Sequence, residues 1–216
     1  MLKVVLTARD EALASAWDRR CGELDFVNVH RGSILDVECD AVVSPANSFG
    51  FMDGGIDSLY TQRFGLNVQR RLQEVIVAKH HGELLVGTAE IVETGDLRIP
   101  FVIAAPTMRV PMILKESANP YLAARAVFLL VRHAVFTHGN LANERVANAV
   151  KCVAFPGLGT GVGRIGPDTC AHQVRAAIED TLLDRRMFPA TWAHASELHQ
   201  KLYSDRTRDL QFDEPH

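Results

Sequence analysis

The stretch VVSPANSFGFMDGGID, residues 42–57, begins as a strand and ends on an acid just after a pair of glycines. Val42 and Val43 belong to the β-branched run CDAVVS, which reads as a buried strand from about Asp40 to Ser44. The strand stops abruptly at Ser44, before a proline. The loop beyond carries few large polar side chains and much exposed backbone. Gly54 and Gly55 stand just ahead of a helix that begins near Asp57, so backbone amides gather where a helix dipole favours negative charge. Asn47 offers both a donor and an acceptor, which suits sugar hydroxyls. Asp57 has two readings on spacing alone. It is an acid favoured by the dipole in a first helical turn, or a general base beside a ligand.

A second loop has the same character. In KCVAFPGLGTGVGRIG, a buried strand runs into Gly157, Gly159, Gly161 and Gly163, just ahead of a helix starting near Pro167. Glycines let amides converge on an anion without side-chain clash. The pattern is neither a P-loop nor a dinucleotide-binding G-x-G-x-x-G. A tight irregular turn is the alternative reading. Two such loops from two strands are able to clamp a diphosphate from both sides.

Working outward, short β-branched runs alternate with helical patterns. KVVLT (Lys3–Thr7) reads as a strand, and a helix follows with Asp10 as N-cap and Gly22 as its stop. Phe26, Val27 and Val29 mark a second strand. DSLYTQRFG and LNVQRRLQEVIVAKHHG read as helices, the latter with Leu66, Val68, Leu72, Val75 and Ile76 on one side. GTAEIVETG and IPFVIAAPT follow as strands. A long apolar helix is expected from Asn119 as cap, with Pro120 at its first turn, to Gly139 as stop. The helix from Pro167 closes the pattern. Strands interleaved with helices imply an α/β fold with a largely parallel, covered sheet, whose ligands bind at strand carboxyl ends. One domain over residues 1–186 is expected. Residues 187–216 form a polar C-terminal extension, with Trp192 in a short docking helix and a mobile end.

The 216 residues carry 23 Lys and Arg against 26 Asp and Glu, a formal net charge of −3. That balance does not indicate a protein held to nucleic acid by phosphate contacts. No apolar run approaches the ~20 residues of a membrane span, and the N-terminus lacks a secretory pattern. A cytoplasmic location is expected. Cys21, Cys39, Cys152 and Cys170 form no C-x-x-C pair and read as reduced, partly buried thiols. His80 and His81 diverge on any regular element and read as a helix end, not a metal site.

In order and spacing these residues resemble the macro domain family. A strand ending N-A-A-N followed by glycines and V-D-x-x-I is matched by Ser44-Pro45-Ala46-Asn47 and Asp53-Gly54-Gly55-Ile56-Asp57, with the later glycine at Gly65. The family's P-x-x-x-T/S-G loop is matched by Pro156 to Gly163, and GTAEIVETGDL is similar to its hairpin. The resemblance covers roughly residues 26–184. It implies a three-layer α/β/α fold with a mixed, mainly parallel six-stranded sheet, and a crevice for ADP-ribose or an ADP-ribosylated macromolecule. Ligand contacts are implied for Ser33, Ile34, Ala46, Asn47, Phe49, Phe51, Gly54, Gly55, Ile56, Pro156, Gly159, Thr160, Gly161, Val162 and Gly163. Asp57, with Asn47 at the distal ribose, is implied as the catalytic pair of a hydrolase. No cofactor or metal is implied. A nucleic acid remains an eligible modified substrate.

The chain departs from the family pattern in several places. Ser33 replaces the acid of G-D-I that reads adenine. Thr61 stands where hydrolysing members often have histidine, and Val162 where they often have an aromatic. Asp53 replaces a glycine beside the diphosphate position, a charge that Arg164 or another cation must offset. Phe49 and Phe51 either stack on the ligand or pack their own loop. Arg109 either meets a substrate charge or is a solvated loop residue. Three functions follow. The first is an ADP-ribosyl hydrolase of the glycohydrolase or O-acetyl-ADP-ribose deacetylase type. The others are a non-catalytic ADP-ribose reader and a macro fold redirected to another nucleotide or phospho-ligand.

Overall fold

The computed structural model describes residues 1–45, 47–137 and 139–208. Six strands, β1 (Lys3–Ala8), β2 (Val27–Arg31), β3 (Ala41–Ser44), β4 (Glu90–Glu93), β5 (Phe101–Ala104) and β6 (Cys152–Phe155), form one sheet in the order β2-β1-β6-β3-β5-β4. Every neighbouring pair is parallel except β4 with β5, which is antiparallel. The helices are α1 (Glu11–Cys21), α2 (Gly55–Phe64), α3 (Asn67–His80), α4 (Asn119–His133), α5 (Val146–Ala149), α6 (Pro167–Thr181) and α7 (Trp192–Lys201).

The central strands are apolar on both faces because helices cover both. Val4, Leu6, Ala41, Val43, Phe101 and Ile103 pack with Trp17 of α1, Phe128 of α4 and Val174 of α6. Alternate residues Val5, Val42, Val102 and Ala154 pack with Tyr60 of α2 and Leu72 and Ile76 of α3. This explains why the strands read as continuous apolar runs without alternation. The α/β/α layering and the mixed, mostly parallel sheet agree with the expectation from sequence.

Local chemistry sets the element ends. The Asp10 side chain accepts from the Ala12 amide at 2.9 Å and caps α1, and Gly22 closes it. Cys21, Cys39 and Cys170 are buried free thiols, and Cys152 is partly buried. His80 ends α3, and His81 takes the left-handed conformation that terminates it. Among the described residues no helix is long and apolar enough to cross a membrane.

Three expectations are corrected. Leu66 does not join the buried side of α3; it lies before the first turn and is exposed. The helix from Asn119 ends at His133, well short of Gly139. Beyond it, Val135 bridges to Arg145, the Phe136 amide donates to the Glu144 carbonyl at 2.9 Å, and the Phe136 ring packs on Phe101 at 5.4 Å. Burial of that ring on the sheet favours a hairpin arm over continued helix. Asn119 also does not cap α4. Ala118 holds the cap position, and the Asn119 side-chain Nδ2 donates to the Thr107 carbonyl at 2.7 Å. In the C-terminal extension α7 is present, but Trp192 is exposed. The helix meets the domain elsewhere, with the Lys201 carbonyl 3.0 Å from His172 Nε2.

Candidate ligand-binding crevice

Strands β3 and β6 lie side by side and parallel, so their carboxyl ends open on the same edge of the sheet. From there the chain departs in opposite directions. β3 leads to α2 on one face and β6 leads to α6 on the other. A crevice at such a divergence is where open α/β sheets place ligands. The structure thus brings together the two glycine loops, residues 45–57 and 156–166. Ser33 and Ile34 follow β2, two strands away along the same edge.

The glycines in these loops serve different purposes. Gly159 has φ +68°, a conformation that disfavours any other residue. A Cβ on Gly157 would meet Thr160 Oγ1 at 2.4 Å and Leu13 at 2.8 Å. On Gly163 it would lie 2.5 Å from the Gly159 carbonyl oxygen. That contact is with backbone and has no easy relief. Gly163→Ala is therefore expected to cost about 1–3 kcal/mol and to lower Tm by several degrees. An unchanged melting curve would show that the loop yields freely. Gly54 and Gly161 are different. Neither has a positive φ, and a Cβ on either meets nothing within 4 Å. Nothing within the chain requires glycine at these two positions, which both face open space. Gly55 faces open space as well, but its φ of +54° lies in the left-handed region that favours glycine.

Asp57 lies in the first turn of α2, 3% exposed. Its Oδ1 is buried without a hydrogen-bond partner among the described residues. Burial pushes its carboxyl up to about 7. The Ser44 hydroxyl pulls the other way, and the negative charge of Asp53 adds to the rise. Beneath it, buried Tyr60 donates from its hydroxyl to the Val43 carbonyl at 2.9 Å and anchors α2 to β3. A buried carboxyl with one unsatisfied oxygen is costly to a fold and calls for an explanation.

Asn47 is engaged within its own loop. Its Oδ1 accepts from the Phe49 and Phe51 amides at 3.1 and 3.3 Å, and its Nδ2 donates to the Phe51 carbonyl at 2.9 Å. One N–H remains for a ligand. Thr61 donates to the Met52 carbonyl at 2.7 Å, so this hydroxyl also braces the loop. Ser33 caps a short 3-10 turn over Ile34–Asp36, accepting from the Leu35 amide at 3.3 Å. Ile34 is buried and Ile56 partly buried against the α3-side core. Ala46 lies outside the described residues. Pro156 is buried, Thr160 half-buried and Val162 exposed.

The aromatics divide. Phe49 is half-buried, with the Arg109 guanidinium over its ring at 5.2 Å. Arg109 is itself held by Glu83 in two contacts of 2.6 and 3.2 Å, so it is a paired residue, not a free anion binder. Phe51 is exposed. Asp53 is exposed too, and no ion pair with Arg164 is present among the described residues. No group of three or more His, Cys, Asp or Glu is placed to hold a metal among the described residues.

Sequence reasoning singled out Arg109 but missed that its segment, from Met108 to Leu114, joins the two loops. It runs from the first loop to the second. Met108 bridges to Asn47, and the Leu114 amide donates to the Gly163 carbonyl at 2.8 Å. The unbroken apolar run MIL at residues 112–114, after a strand had already ended, was its signal. Two large hollows lie away from the crevice. One of ≈ 710 Å³ runs along β4 between α3 and α4, and one of ≈ 900 Å³ lies against β1 and β2 near His30.

Known proteins resemble the chain in the same region. A family model described as "Macro domain" matches residues 43–174. An uncharacterized protein of Aquifex aeolicus is 32% identical over 71% of this chain and 79% of its own length. A protein of Cronobacter turicensis named O-acetyl-ADP-ribose deacetylase is 28% identical over 76% of this chain and 84% of its own. A solved macrodomain of Oceanobacillus iheyensis, a G37V mutant with ADPR, superimposes with a TM-score of 0.55 at 20% identity, covering 70% of this chain and 75% of that one. That likeness supports the fold. With the family match spanning both glycine loops, the chain belongs to the macro domain family, whose members bind ADP-ribose.

Proposed function

We propose that the chain binds ADP-ribose, or an ADP-ribosyl group on a macromolecule, between the loops after β3 and β6, and hydrolyses an ADP-ribosyl linkage there. The observation that carries the hydrolytic reading is Asp57. Its carboxyl is buried, has an oxygen without a partner among the described residues, sits beside open Gly54 and Gly55, and is pushed up to about 7. A base poised near neutral pH is suited to take a proton from an attacking water. Open backbone at Gly54, Gly55 and Gly161 supplies amides for the diphosphate, reinforced by the start of α2. The water's oxygen bonds to the anomeric carbon, or to the acyl carbon of an ester; its proton passes to Asp57, the bond from that carbon to the leaving oxygen or nitrogen breaks, and the leaving atom takes a proton back from Asp57. The deacetylase name of the Cronobacter relative supports a linkage on ADP-ribose.

A reader without turnover is the second reading. It is favoured by Asn47 and Thr61, whose polar groups are engaged in bracing the loop. Calorimetric titration with ADP-ribose, with AMP and ADP as controls, tests the shared part of both readings. Micromolar binding that requires the distal ribose is expected. Equal affinity for ADP and ADP-ribose would show that the crevice near Asn47 holds no sugar.

A further inference from the structure

Three segments meet at the Asn47 end of the crevice. The Ser48 amide donates to the Arg109 carbonyl at 3.1 Å, and the Leu114 amide donates to the Gly163 carbonyl at 2.8 Å. Residues 110–113 therefore span the gap between the two loops on the β5 side. Leu114 is buried, and its Cδ1 lies against Gly159 and Gly163. The residues before it point outward. Val110, Met112 and Ile113 are 45%, 49% and 54% exposed. On either side lie Phe51 at 53%, held over Asn47 by paired hydrogen bonds, and Val162 at 63%.

One exposed apolar side chain needs no explanation. Five on three segments, the middle one hydrogen-bonded to each of the others, gather apolar surface into a rim at the mouth of the crevice. The middle segment is tied at Arg109 and at Leu114 by these backbone hydrogen bonds, which limits the ordering that contact with it costs. We propose that this rim docks the polypeptide around an ADP-ribosylated residue and selects apolar side chains flanking the modification. The proposal rests on the ADP-ribose reading of the crevice, because the rim adjoins the end where the attached group emerges.

Charge decides for polypeptide over nucleic acid. Arg109 is tied to Glu83, and Asp53 adds an acid to the same neighbourhood. Arg164 is the one cation in the two glycine loops, and the exposed Lys115 after Leu114 is followed directly by the exposed acid Glu116. A nucleic-acid strand is held by several cations along its phosphates, whereas this rim offers apolar contact.

The test uses the full chain and its Met112→Ser/Ile113→Ser variant, neither residue belonging to the crevice floor. Four probes are titrated: free ADP-ribose, an ADP-ribosylated peptide with leucines flanking the modification, the same peptide with serines there, and an ADP-ribosylated DNA oligonucleotide. The wild type is expected to prefer the leucine-flanked peptide about tenfold over the serine-flanked one. The variant should lose that preference while its affinity for free ADP-ribose stays within about twofold. With free ADP-ribose bound normally, equal affinity for the two peptides overturns the proposal alone. So does a preference that survives in the variant, or tighter binding of the oligonucleotide than of either peptide. Failure of the wild type to bind free ADP-ribose overturns the crevice reading, and the rim proposal with it.

Discussion

Asp57→Asn is expected to lower turnover of an ADP-ribosyl substrate by about 10²–10⁴-fold, the range for loss of a general base, while ADP-ribose affinity stays within a few fold. Asparagine keeps the shape of the side chain and removes only its ability to take the water's proton. In the wild type, the rate should rise about tenfold per pH unit up to about 7 and then level, as Asp57 ionises. Undiminished turnover in the variant would remove Asp57 from the chemistry, whereas absence of turnover in the wild type itself would leave the reader.

The same substitution has a second signature, in stability. The native carboxyl titrates at about 7, above the ordinary carboxylate value of ~3.9. A raised native pKa means the folded state holds the proton more tightly than the unfolded state. Its contribution to stability is full below about pH 4, declines as pH rises, and is lost above about pH 7. The whole shift corresponds to about 4 kcal/mol. Asparagine carries no such penalty. The variant's advantage over the wild type should therefore grow by roughly 3 kcal/mol between about pH 5 and pH 8, read from urea unfolding. Parallel curves would mean that the native carboxyl is solvated and ordinary, which would undercut its role as a base tuned to neutral pH.

How much of this was legible in sequence depends on how local each cause is. The loops announced themselves because glycine, proline and strand ends are local signals. That both loops open at the carboxyl ends of a parallel sheet followed from the alternation of strands and helices; that β6 lies beside β3 did not. The division of labour among Gly157, Gly159, Gly161 and Gly163 was not legible. It depends on Leu13, Thr160 and Leu114 arriving from elsewhere in the chain. The burial of Asp57 was hidden for the same reason. It needs Tyr60 pinned to β3, a contact that periodicity along α2 does not reveal. Asn47 looked like a sugar ligand by composition, yet most of its hydrogen-bonding capacity holds its own loop. The apolar run after α4 misled because periodicity does not distinguish another helical turn from a hairpin arm whose Phe136 finds Phe101.

Gly161→Glu separates ligand approach from folding most sharply. A Cβ at Gly161 meets no atom of the described residues within 4 Å, and the backbone there does not require glycine. The variant should fold with a Tm within a few degrees of the wild type. Yet the glutamate enters the space where the diphosphate is expected, adding both bulk and a like charge. At an effective dielectric of ~20, two unit charges ~4 Å apart repel by about 4 kcal/mol. A loss of ADP-ribose affinity of at least ~100-fold is expected, which is about 2.7 kcal/mol. Gly163→Ala should show the opposite pattern, with stability lost and the surviving folded protein still competent to bind. If Gly161→Glu binds ADP-ribose as the wild type does, the loop after β6 does not hold the diphosphate. The open space at Gly161 would then be plain solvent, and the amides at Gly54 and Gly55 would have to hold the anion alone.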